Sequence, residues 1–163
     1  MSAPTLFEPE VPAAPVAAGP RPYVIELPAT LRLLNSNQRL HPKRRMEYTG
    51  KIRAAAMEAV SDCPALVDAL AAAKPGALFE RAHVLGVLHP PTNGRRDPAN
   101  WYPSFKAAVD GLVDAGVLED DDHTRLLGPD MRLGMKRKRA QLVLVVRALQ
   151  PGEDPLGYGA VLA

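Results

Sequence analysis

Apolar residues along this 163-residue chain change their spacing several times, and each spacing indicates an element. Tyr23 to Leu27 alternates around the β-branched pair Val24 and Ile25 and stops at Pro28, which predicts a first strand. From near Arg44 to Val60 the period lengthens to that of a helix, with Ile52, Ala55, Ala56 and Ala59 on one small-residue face and Gly50 as its weak point. Ser61 or Asp62 is placed to cap a second, short helix that begins at Pro64, carries Leu66, Leu70 and Ala73, and stops at Lys74, Pro75 and Gly76. Leu78 to His89 has the near-continuous Val84, Leu85, Val87, Leu88 run of a central strand, and Gly86 inside it allows a bulge or a close approach.

The clearest helix runs from Pro103 to Ala115. Phe105, Val109, Leu112 and Val113 recur on one buried stripe, Pro103 suits the first turn, and Gly116 is placed to end the helix in a left-handed conformation. Lys106, Asp110 and Asp114 fall on an adjoining face, one turn apart, so Lys106 and Asp110 can pair for a few tenths of a kcal/mol. Thr124 to Leu133 then reads as a strand broken by Gly128 and Pro129, suited to an edge or a bulge, and Leu142 to Leu149 as a strongly apolar final strand. The order β, α, α, β, α, β, β predicts a single α/β (α+β) domain over residues 23–149, with a small mixed β-sheet flanked by helices. The Pro- and Ala-rich extension 1–22 is expected to be disordered, and the Gly- and Pro-punctuated tail 150–163 to be peripheral.

Composition narrows the setting. No apolar run approaches the roughly 20 residues that span a bilayer, so no membrane partner is expected. Residues 1–22 lack the basic start of a secretory signal or transit peptide, and the single Cys63 cannot form an internal disulfide, which suits a reducing, cytoplasmic setting. The net charge is only +2, but the cations are clustered at Lys43 to Arg45, at Lys51 and Arg53, at Arg95 and Arg96, and at Lys136 to Arg139. Several separated clusters suit contact points along an anionic polymer better than one pocket for a small anion. There is no phosphate-binding loop, dinucleotide fingerprint or nucleophile elbow, and His83 and His89 lack the spacing of a zinc site.

The chemistry concentrates between Arg95 and His123. A helix from Pro103 to Ala115 rises roughly 20 Å, and the extended segments on either side can each cover a similar distance, so Asp97 and the aspartates at 120 to 122 can meet at one point. Gathered carboxylates repel one another and raise each other's pKa, a cost that a hard divalent cation removes. The aspartate run on its own reads first as an acidic turn before a strand.

Arg96, Asp97 to Asn100, Lys106 to Gly116, and Asp120 with Asp121 together resemble the core signature of the RusA family of Holliday-junction resolvases: arginine, DxDN, KAAxDxLxxAG, then an aspartate pair. The resemblance covers roughly Tyr23 to Leu149. It implies catalytic roles for Asp97, Lys106, Asp120 and Asp121, metal binding by Asp97 and Asp121, and DNA binding by Arg96. It further implies Mg²⁺, with Mn²⁺ as a substitute, a homodimer, branched DNA as the partner and a phage or prophage setting. Two departures stand out. The second aspartate of DxDN is Ala99, and three extra residues precede Lys106. Asp122 or Asp110 is placed to replace the missing oxygen, and Asn100 could add a carbonyl.

Around this core, Arg95, the polar loop Asn35 to Arg39 with Asn37 and Arg39, and the loop Lys136, Arg137, Lys138 and Arg139 are candidate phosphate contacts, although Asn35 to Arg39 is also consistent with a plain turn. Trp101 and Tyr102 could stack on unpaired bases, or one of them packs against the first turn of the helix. The leading expectation is a Mg²⁺-dependent, structure-selective endonuclease that resolves Holliday junctions or other branched DNA in recombination and repair. The alternatives are a junction-binding module that has lost cleavage, and a nuclease for flaps, forks or RNA.

Overall fold

The computed structural model describes residues 21–153. The expectations for segments 1–22 and 150–163 therefore lie outside the described residues, apart from 21–22 and 150–153. The elements are β1 (Tyr23–Glu26), α1 (Pro42–Ser61), α2 (Pro64–Ala73), β2 (Ala82–His89), a short 3-10 turn (Pro98–Trp101), α3 (Tyr102–Asp114), β3 (Leu126–Leu133) and β4 (Gln141–Ala148). Their order is the predicted one, and the single α+β domain carries a mixed four-stranded sheet ordered β1-β4-β2-β3.

β4 runs antiparallel to both β1 and β2, while β3 lies parallel to β2. A parallel neighbour cannot be reached by a hairpin, so the chain must cross back over the sheet, and α3 is that crossover. Every second residue of β2 is buried: Ala82, Val84, Gly86 and Leu88 face the helical layer with Leu142, Leu144 and Val146 of β4 and Ile25 of β1. The fully buried Phe105 of α3 lies over Gly86, where any Cβ would overlap its ring. The glycine in this strand thus serves close approach. α1 reaches α3 through small residues, with Ala56 and Gly111 at the contact.

The strand directions gather three loops at one end of the sheet. These follow β1, follow β2, and join β3 to β4. Hydrogen bonds tie them together: Ser36 N–H donates to the Asn100 carbonyl (2.7 Å), Arg137 N–H to the Pro90 carbonyl (2.9 Å), and the Gln141 amide to the Leu27 carbonyl (2.8 Å). Because β3 is parallel to β2, Asp120 to Asp122 enter β3 from the opposite end.

Some local expectations shift. Neither Ser61 nor Asp62 caps α2: α1 continues to Ser61, Asp62 N–H closes it onto the Glu58 carbonyl (2.8 Å), and Cys63 takes the N-cap because Pro64 is already helical. The central strand begins at Ala82, and Leu78 and Phe79 instead bond to Gly116 and Val117, leaving Phe79 as an isolated bridge to Leu118. At Gly128 and Pro129 both anticipated features occur. β3 is an edge strand, and its register with β2 shifts between His83 and Leu85.

The two helical glycines of α1 and α3 separate propensity from packing. A methyl on Gly50 meets nothing within 4 Å, whereas one on Gly111 would overlap the Arg53 carbonyl and lie 2.7 Å from the Ala56 Cβ. Gly50→Ala is therefore expected to stabilise the protein by about 0.5–1 kcal/mol, and Gly111→Ala to destabilise it by about 1–3 kcal/mol, read from urea unfolding midpoints.

Candidate active site

With Phe105, Val109 and Leu112 turned into the core, positions 106, 110 and 114 emerge along the flank of α3. The Lys106 ammonium donates to Asp110 Oδ1 one turn away and to Asp121 Oδ2 from the segment before β3. The Asp110 and Asp121 side chains are only 27% and 22% exposed, so this ion triplet is partly withdrawn from water. Burial acts to lower the Lys106 pKa, but the hydrogen bonds and charges of Asp110 and Asp121 outweigh it and hold the ammonium above its ordinary range. Lys106 is thus a firm cation between two carboxylates.

The other carboxylates are used locally. Asp97 is exposed and accepts the Ala99 N–H at 2.9 Å, which starts the 3-10 turn. Asp120 Oδ1 accepts the Asp121 N–H (2.7 Å), and Asp122 Oδ1 accepts both the N–H and the hydroxyl of Thr124 (2.6 Å each). Those bonds hold the Asp122 carboxyl below the usual range. Asn100 lies in the 3-10 turn, its N–H donating to the Asp97 carbonyl at 3.2 Å. Among the described residues no three carboxylate, histidine or cysteine side chains converge as a ligand set, and no hydrogen bond or ion pair joins Asp97 to the triplet. The pair that converges on one cation is Asp110 with Asp121. Of the two replacements weighed for the position of Ala99, Asp110 stands at the triplet and Asp122 is engaged by Thr124.

That pair suits Mg²⁺ by its chemistry. Both groups are hard oxygen donors, and Mg²⁺ is commonly held by one or two carboxylates, its remaining positions filled by water and substrate phosphate. Asp110 and Asp121 already present two oxygens to a single point, where the Lys106 ammonium sits.

The candidate DNA contacts divide into bracing and exposed groups. The Arg96 guanidinium donates to the Thr92 carbonyl (2.9 Å) and hydroxyl (2.6 Å), bracing its own loop. Arg137 is likewise engaged, donating to Gln141 Oε1 (2.5 Å) and Glu26 Oε1 (3.1 Å). Asn37 donates its N–H to Asn35 Oδ1 (2.8 Å), which forms the plain turn that its residue types also allowed, and its side chain remains exposed. Arg39, Arg95, Lys136, Lys138 and Arg139 are exposed on the three loops at one end of the sheet. Trp101 packs against the core, and Tyr102 stays 46% exposed.

Several structural partners were not legible in the sequence. The fully buried Ser104 hydroxyl donates to the Leu34 carbonyl (2.8 Å) and accepts its N–H (2.6 Å), pinning the loop after β1 to the first turn of α3. Asp114 takes the Arg53 guanidinium and clamps α1 to α3, and His83 pairs with Asp130 across β2 and β3 (2.5 Å). Only the serine carried a signal, as an uncharged polar residue on an otherwise apolar helical stripe. No protein-family model matches the chain, and no curated protein matches it.

The Arg53 bond holds the Asp114 carboxyl below its ordinary range. A depressed folded-state pKa gives stability that is present above the unfolded value near 4 and is lost as the pH falls through the folded value. The expected outcome for Asp114→Asn is a flatter decline in urea-unfolding stability below about pH 4 than that of the parent protein.

Proposed function

We propose that the protein is a divalent-metal-dependent, structure-selective endonuclease for branched DNA of the Holliday-junction type. The observation that carries the reading is the meeting of Lys106 with Asp110 and Asp121 on one partly buried flank of α3. Asp121 and Lys106 occupy positions of the RusA-like signature, and Asp110 brings a carboxylate to them although Ala99 cannot. Asp110 and Asp121 would hold the cation. Bound there, Mg²⁺ or Mn²⁺ would supply Lewis-acid stabilisation of the phosphoryl oxygens and an activated water. Lys106 has a flexible stem and a 41% exposed side chain, so its ammonium can turn from the carboxylates to the scissile phosphate and neutralise charge as the bond breaks. Arg39, Arg95, Lys136, Lys138 and Arg139 would hold the backbone, with Arg96 and Arg137 keeping the loops in shape. A homodimer would present two such sites to the symmetric strands of a junction.

A second reading, a junction-binding module without cleavage, is favoured by Asp97. This first aspartate of the signature caps the 3-10 turn, and among the described residues no hydrogen bond or ion pair joins it to the triplet. Incubation of labelled four-way junction, flap, fork, RNA and linear duplex with Mg²⁺ separates the readings. Metal-dependent paired nicks in the junction are expected, reduced about a hundredfold or more by Asp110→Asn and by Asp121→Asn. Tight junction binding with no cutting in Mg²⁺ or Mn²⁺ would establish the binding module, and preferred cutting of flaps, forks or RNA would reassign the substrate.

Salt dependence tests the loop assignments separately. Lys138→Ala is expected to lower the slope of log affinity against log salt by about 1, the signature of one lost phosphate contact. Arg137→Ala is expected to lower the unfolding midpoint instead, since its guanidinium bonds to Gln141 and Glu26.

A further inference from the structure

The loop between β3 and β4 is tied at several points to β2 and to the residue that follows it. Gly134 N–H donates to the Leu88 carbonyl (2.9 Å), Arg137 N–H to the Pro90 carbonyl (2.9 Å), and the His89 ring bonds the Met135 carbonyl through Nδ1 (2.8 Å). Gly134 is pressed so closely on β2 that an added Cβ would lie 2.6 Å from His89 Nδ1 and 2.8 Å from Val87 Cγ1. The backbone on both sides of Met135 is therefore fixed, yet the Met135 side chain is 83% exposed, the most exposed of the large hydrophobic residues described. Leu133, two residues before it, is 38% exposed. Such a side chain contributes almost nothing to folding, because little of its apolar surface leaves water.

Its neighbours are cationic. Lys136, Lys138 and Arg139 are exposed on the same loop, and the bond from Arg137 to Pro90 sets this loop beside the one that carries Arg95. An unbranched, polarizable apolar side chain on a braced backbone, on a loop that also carries exposed cations, has the chemistry of the wedges that enter base steps and unstack them. Entry costs least where stacking is already interrupted, as at a branch point.

We infer that Met135 is an apolar wedge that enters the opened base step at the branch point, giving the protein its preference for branched over linear duplex DNA. The inference rests on the DNA-directed reading above and adds to it the residue that discriminates substrate shape. Lys136, Lys138 and Arg139 contact the backbone of either substrate, whereas Met135 gains only where a step can open.

The test uses the full chain in EDTA with a four-way junction carrying 2-aminopurine at the point of strand exchange, and a linear duplex carrying the same base. For the parent protein and for Met135→Leu, junction binding with a rise in fluorescence is expected. Met135→Ala should lose the rise and bind the junction roughly fivefold or more weakly, with linear-duplex affinity unchanged within about twofold and an unchanged melting temperature. Junction affinity and fluorescence in Met135→Ala equal to the parent would overturn the wedge, as would junction binding by the parent without any rise, and in both cases the DNA-directed reading would stand. Failure of the parent to bind either DNA would overturn that reading and the wedge with it.

Discussion

The seat of α3 is the constraint on which the rest of the structure depends. Phe105 can lie over the sheet only because Gly86 has no side chain, and α1 can close against α3 only because Gly111 has none. Between these two close contacts α3 cannot rotate or slide without overlap, since packed interiors accommodate added volume poorly. The azimuth of every α3 residue is thereby set. Lys106 and Asp110 are placed at the rim of the helix, partly withdrawn from water, where Asp121 can reach them.

Electrostatics then works on a frame already built by packing. Lys106 donates to two carboxylates at once, an ion triplet that forms only because packing has brought Asp110 and Asp121 to the same flank. One turn further along the same flank, Asp114 faces α1 and pairs with Arg53, so the same residue type serves as a structural clamp. The difference between the two aspartates lies in what each turn of α3 faces.

The parallel pairing of β2 and β3 has a comparable influence on the basic residues. It delivers the loops after β1, after β2 and between β3 and β4 to one end of the sheet, and sends Asp120 to Asp122 into β3 from the other. The cross-loop bonds from Ser36 to Asn100 and from Arg137 to Pro90, with the buried Ser104 holding Leu34, make those loops a single braced surface. Arg96 and Arg137 contribute to that surface by bracing it, and the exposed cations beside them supply its charge.

The elements were legible in the chain because local periodicity and punctuation are short-range: the spacing of Phe105, Val109 and Leu112, the Gly116 terminus at φ +80°, and the Gly128-Pro129 interruption each depend on a few neighbouring residues. The Lys106–Asp110 pair was legible for the same reason, being one helical turn apart. Meeting at a distance was not. That Asp121 reaches Lys106 while Asp97 spends its carboxylate on Ala99, and that Arg137 is spent on Glu26, depends on which segments the sheet order brings together and on which donors lie nearest once it has. A sequence limits how far a loop can extend, and extended reach allowed Asp97 to meet the aspartates. Backbone N–H groups left free at the start of a turn are closer partners for a short carboxylate than any side chain across the fold. The fold class and the order of elements were therefore determined by the sequence alone, and the final partners of the charged side chains by tertiary packing.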